Sequence, residues 1–80
     1  MPTFFFHLHH GSQCVRDQEG RSLSDDDAAM LEAEKEARAL IAADIVAGTP
    51  IGLNNFLRVA DDQGRTVSEL IFRAVIRFAD

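Results

Sequence analysis

The chain opens on alternation. From Thr3 to His9, residues Phe4, Phe6 and Leu8 fall on one side and Phe5, His7 and His9 on the other, the two-residue period of a β-strand. Gly11 and Ser12 break it, and a second short strand is predicted near Gln13 to Arg16. The period then lengthens. Met30, Ala33, Ala37, Leu40, Ile41 and Asp44 lie near one helical stripe, which weakens at Asp44, where Ile45 takes over. Ser24 is the expected N-cap, with Asp27 completing an approximate capping box. Asp25, Asp26 and Asp27 sit in the first turn, where the helix dipole favours negative charge. Gly48 and Pro50 stop the helix, which over residues 25–47 would be about 35 Å long. Glu34 and Arg38 have the spacing of a favourable i,i+4 pair.

Alternation returns after a loop over residues 49–54. Asn55 to Ala60 reads as a third strand, with Leu57 and Val59 opposite Phe56 and Arg58. A fourth begins at Arg65 or Thr66. Its far end fits two periods at once: Leu70, Phe72, Ala74, Ile76 and Phe78 alternate, while Leu70, Ile71, Ala74, Val75 and Phe78 fit a helix. The expectation is a strand to Phe72 or Arg73, then a short helical or irregular tail.

One segment occurs twice. Val15 to Asp25 aligns without gaps on Val59 to Glu69, with Val, Asp, Gly, Arg and Ser identical. Each copy carries Asp-x-x-Gly, in which the Asp side chain can bond backbone two residues on and the Gly supplies a positive φ. Shared turn chemistry is the leading explanation of the pair and duplication the alternative, and both copies are expected to mark hairpin tips or strand ends.

These elements give an α+β fold of order ββαββ, a four-stranded, mostly antiparallel sheet with one long helix on one face. Phe4, Phe6, Leu8, Val15, Leu57, Val59, Leu70 and Phe72 would face the helix. Phe5, His7, His9, Cys14, Phe56, Arg58, Ile71 and Arg73 would lie on the other side. That second face is half apolar, which points to a partner surface.

Length leaves room for one domain over residues 1–80, with only roughly 60–65% of the unfolded chain's surface buried. A chain this small gains from a partner subunit. Its single cysteine, Cys14, cannot form an intrachain disulfide, which fits a reducing compartment. Met1 to His7 has neither the basic nor the long apolar region of a signal peptide, and no apolar run reaches the roughly 18 residues of a membrane span. A cytoplasmic protein is expected. The net charge is −5, and residues 1–48 hold nine acidic against four basic residues. Nucleic-acid binding lacks its electrostatic footprint in such a chain. Arg58, Arg65, Arg73 and Arg77 are interleaved with Asp61, Asp62, Glu69 and Asp80.

The opening Phe4-Phe5-Phe6-His7-Leu8, with the turns Asp17 to Gly20 and Asp61 to Gly64 and the Ala- and Glu-rich stretch Ala28 to Leu40, resembles a family of small bacterial proteins common in alphaproteobacteria. That family is known only as a domain of unknown function. The resemblance covers nearly the whole chain and supports the fold, but it implies no reaction, cofactor or partner. His9-His10-Gly11 departs from it, since the family more often has polar or acidic residues there.

Candidate chemistry is sparse. His7 and His9 lie on one strand face roughly 6.5–7 Å apart, and a paired second strand would bring Cys14 near. Imidazole and thiolate suit zinc or copper, so His7, His9 and Cys14 are the candidate metal set, though nothing completes a tetrahedral site and no cofactor is expected. Cys14 has no Gly-rich oxyanion loop or orienting third group, and no enzyme is expected. Asp25 to Asp27 lack EF-hand spacing. Glu32, Glu34, Lys35, Glu36 and Arg38 read as a solvated helix face. The leading expectation is a non-enzymatic interaction module that forms a homodimer or binds a protein partner through Phe5, His7, His9, Phe56, Arg58, Ile71 and Arg73. The alternative is a metal or small-molecule sensor.

Overall fold

In the computed structural model, which describes residues 1–79, a single helix lies on one face of an antiparallel sheet. Strand β1 spans Thr3–His10, β2 Gln13–Val15, β3 Arg21–Ser22, β4 Phe56–Ala60 and β5 Thr66–Ile71. Helix α1 spans Asp26–Ala47, and a 3₁₀ turn follows β5 at Phe72–Val75. The order across the sheet is β2-β1-β4-β5, with β3 also on β1.

Five strands rather than four result from one interruption. β2 and β3 share the same side of β1, pairing Leu8 with Val15 and Phe4 with Arg21. Between those pairs, Phe5, Phe6 and His7 face the five residues Arg16 to Gly20. Two surplus residues force the edge strand out of the ladder, so the first Asp-x-x-Gly is a bulge within an edge and not a hairpin tip. The second, Asp61 to Gly64, is the tip joining β4 to β5. Both aspartates accept the N–H two residues on, and they differ in the second donor. Asp17 Oδ1 accepts from the N–H groups of Glu19 and Gly20, and Asp61 Oδ1 from those of Gln63 and Arg65.

The helix begins one residue later than Ser24 predicts. Asp25 is the N-cap, its carboxylate accepting the Ala28 N–H at 2.8 Å. With Ala28 at the third position there is no capping box. At the other end Gly48 N–H bonds to Ile45 O and Thr49 N–H to Asp44 O, the paired bonds of a Schellman ending. The buried stripe is Ala29, Ala33, Ala37 and Ile41, with Met30 and Leu40 half-buried at its flanks. Three methyl groups in a row bring the helix axis close to the strands, so the sheet supplies the large core side chains. Phe4, Phe6 and Val59 pack on Ala29 and Ala33, while Leu57 and Phe72 pack on Ala37 and Ile41. Leu70 touches both groups and joins them.

Facing follows the alternation, with three corrections. Val15 is on the helix side, opposite Leu8, yet is 55% exposed on its short edge strand. β5 ends at Ile71, because Phe72 turns inward and buries its ring to 2% exposure. Arg73 therefore leaves the sheet: it sits in the 3₁₀ turn, with its N–H on Leu53 O and its guanidinium on Asn54 Oδ1. Glu32 and Glu36 are not merely solvated, since both hold Arg21 of β3, at 2.6 and 2.9 Å. Among the described residues Glu34 and Arg38 form no ion pair. Asp80 lies outside the described residues.

Candidate functional site

The face of the sheet turned away from α1 has no second layer. Register arranges its side chains in rows across the strands. One row runs Cys14, His9, Phe56, Ile71 from β2 to β5. The next runs His7, Arg58, Glu69, and the third Phe5, Ala60, Thr66.

The rows cover themselves. His9 and Phe56 stack with centroids 4.6 Å apart and planes 1° from parallel, and Phe5 stacks on His7 at 6.3 Å. The Arg58 guanidinium lies 5.7 Å from the Phe56 centroid and bonds Glu69 at 2.7 Å. Phe5, His9, Phe56 and Arg58 are half-buried as a result. Ile71, at 38%, is the large apolar side chain most open on this face.

His7 is buried, although it lies on this open face. It is 8% exposed, and its Nδ1 accepts the Asp17 N–H at 3.0 Å. That bond fixes the neutral tautomer with the proton on Nε2. Burial first, then the positive charges of Arg16 and Arg58, depress its pKa below 6.5, against the opposing pull of Asp17. Asp17 completes the exchange, with Oδ2 accepting the Phe6 N–H at 3.1 Å. Burial pushes the Asp17 carboxyl up, but the three N–H bonds from Phe6, Gly20 and Glu19 outweigh it and hold the group below its ordinary value. The Asp61 carboxyl is also held low, by the Arg65 N–H foremost.

An open groove of about 530 Å³ runs over this face, bordered by Phe5, His7, Arg16, Arg58, Asp61 and Thr66. Of its three aspartates, Asp17 and Asp61 are engaged by neighbouring N–H groups, while Asp62 is exposed. Cys14 is exposed, with Sγ 3.5 Å from His9 Nε2. His9 and Cys14 thus come together as expected, but His7 has its Nδ1 engaged elsewhere. No three His, Cys, Asp or Glu side chains converge to hold a metal ion among the described residues. Of the residues assigned to a partner surface, the structure gathers Phe5, His7, His9, Phe56, Arg58 and Ile71 and removes Arg73.

Sequence reasoning missed Asp17 as a partner of Phe6 and His7. Its signal was the unbroken polar run Arg16 to Gly20, too long to alternate beside a continuous β1. No helix among the described residues is long and apolar enough to cross a membrane.

One helix on an antiparallel sheet, with a split edge strand and a bare opposite face, defines a small two-layer α+β domain. The chain belongs to the family described as domain of unknown function (DUF6894), whose model matches residues 3–73. That match agrees with the resemblance carried by the aromatic strand and the two Asp-x-x-Gly turns. No curated protein and no solved structure matches the chain.

Proposed function

We propose that this domain is a non-catalytic, cytoplasmic interaction module that works as a homodimer and offers its bare sheet face to a protein partner. The observation that carries this reading is the uncovered row Cys14, His9, Phe56, Ile71. Stacked, parallel rings make a flat, rigid surface that loses little entropy on docking. A net charge of −5 favours a protein partner over a nucleic acid. Size exclusion with light scattering tests self-association: the expected mass is twice the 8.8 kDa of one chain. A strict monomer at high micromolar concentration overturns the homodimer.

A sensor built on His9 and Cys14 is the second reading, favoured by the 3.5 Å approach of Cys14 Sγ to His9 Nε2. Zinc at a hundred times its dissociation constant would stabilise the fold by about 2.7 kcal/mol. No thermal shift with zinc or copper, or an equal shift in a His7→Ala/His9→Ala variant, disposes of it.

A further inference from the structure

A sheet of order β2-β1-β4-β5 has two edges, and this one treats them differently. The edge beyond β1 is broken. β2 is three residues long and β3 two, and the bulge Arg16 to Gly20 separates them. Where the ladder lapses, the Asp17 carboxylate takes the Phe6 N–H. Short strands and bulges are how proteins stop an edge from recruiting another chain.

The edge of β5 carries much less of this protection. It is six residues, Thr66-Val67-Ser68-Glu69-Leu70-Ile71, with no proline and no lysine. Its one irregularity is at the Val59/Ala60 end, which leaves Ser68 to Ile71 regular. Its one charge, Glu69, projects on the bare face and is neutralised by Arg58. Among the described residues, no backbone hydrogen bond outside the ladder to β4 involves Thr66 to Ile71. Alternate N–H and C=O groups of β5 therefore face outward without a protein partner.

We infer that two copies of this chain pair through the free edge of β5, antiparallel, to join their sheets into one. This rests on the self-association proposed above and names the element that makes it. A second copy is the occupant the edge fits. Antiparallel pairing of a strand with itself is two-fold, so each bond is made twice and the assembly closes instead of growing into a fibre. Any other arriving strand would leave the same edge open on the second copy. Joining the sheets sets the two bare faces side by side, with Ile71 of each copy on the surface nearest the junction.

Amide hydrogen exchange read by NMR at concentrations above and below the dimer midpoint tests this on the unmodified chain. Alternate amides of Thr66 to Ile71 are expected to exchange about tenfold or more slowly in the dimer, with β2 and β3 unchanged. A dimer whose β5 amides exchange as in the monomer overturns the edge pairing and leaves self-association standing. A strict monomer overturns both. Single cysteines provide the second measurement: Ser68→Cys and Glu69→Cys, each with Cys14→Ser. At least one is expected to form an intermolecular disulfide under mild oxidation, and failure of both overturns antiparallel pairing at the strand centre.

Discussion

Asp17 is bonded directly to His7 and to its neighbour on β1: Asp17 N–H donates to His7 Nδ1 at 3.0 Å, while Asp17 Oδ2 takes the N–H of Phe6. Two side-chain bonds stand where a continuous edge strand would have made two ladder bonds. The bulge is thereby tied down at the point where pairing fails.

Removing that tie should be costly. Asp17→Ala leaves the N–H groups of Phe6, Glu19 and Gly20 without their acceptor. The expected loss is about 2–3 kcal/mol in urea denaturation, since part-buried donors are left unpaired. Asp61→Ala, at an exposed hairpin tip, should lose clearly less. Equal losses would contradict the bridging role of Asp17.

The two turn glycines should also separate. Gly20 and Gly64 both have positive φ, 74° and 83°. A Cβ at Gly64 meets nothing within 4 Å, whereas one at Gly20 would lie 2.7 Å from Thr3 Cγ2 and 2.9 Å from the Phe5 ring. Gly64→Ala should cost about 1 kcal/mol, the backbone strain alone, and Gly20→Ala about 2–3 kcal/mol. Thermal melts of the two variants decide this.

Stability should fall with mild acid because of His7. Its folded pKa is depressed below 6.5, so the unfolded chain takes up the proton first. The stability this contributes is complete above pH 6.5 and declines as pH falls from there through the lower folded value. Protonation also removes the acceptor for the Asp17 N–H. Asp17 adds a second loss, which is absent above 3.8 and grows as pH falls through its own lowered value. Denaturant midpoints between pH 8 and 5 should drop in the wild type and stay flatter in His7→Leu.

Arg21 clamps β3 to the helix through Glu32 and Glu36 and lies 5.0 Å from the Phe6 centroid. Those hydrogen bonds, to Glu36 foremost, hold its guanidinium more firmly protonated than usual. The side chain is 38% exposed, so screening by solvent limits its worth. Arg21→Met should cost about 1 kcal/mol, and the cost should shrink in high salt. A loss insensitive to salt would assign the effect to packing on Phe6 instead.

Much of this was legible in the alternation. The faces of β1 and β4 followed from their two-residue period, and the helix stripe from Ala33, Ala37 and Ile41. What escaped were features that depend on distant partners. Ser24 and Asp25 are both good caps, and only the backbone geometry chooses Asp25. The first Asp-x-x-Gly has the local chemistry of the second, so its place inside an edge depends on the pairing of β1, which a local pattern does not encode. The segment after Leu70 fitted strand and helix alike, and the 3₁₀ turn that begins at Phe72 is set by the packing of its ring against Ala37 and Ile41. The self-stacking of His9 on Phe56 needs the register of two strands far apart in sequence. The bare face is consequently less apolar in practice than its composition suggests.

The alanine stripe of α1 has a consequence for how the molecule can change. Ala29, Ala33 and Ala37 are fully buried and contribute almost no volume, so the helix acts as a spacer whose thickness is fixed by methyl groups. Ala33→Leu should destabilise by about 1–3 kcal/mol or more, while Ala39→Leu on the solvent side should stay within about 0.5 kcal/mol. Adaptation of the interior must come from the strands, and the helix's exposed residues, apart from the Glu32 and Glu36 hold on Arg21, are left as a surface on which charge, solubility or a label can be rewritten without disturbing the fold.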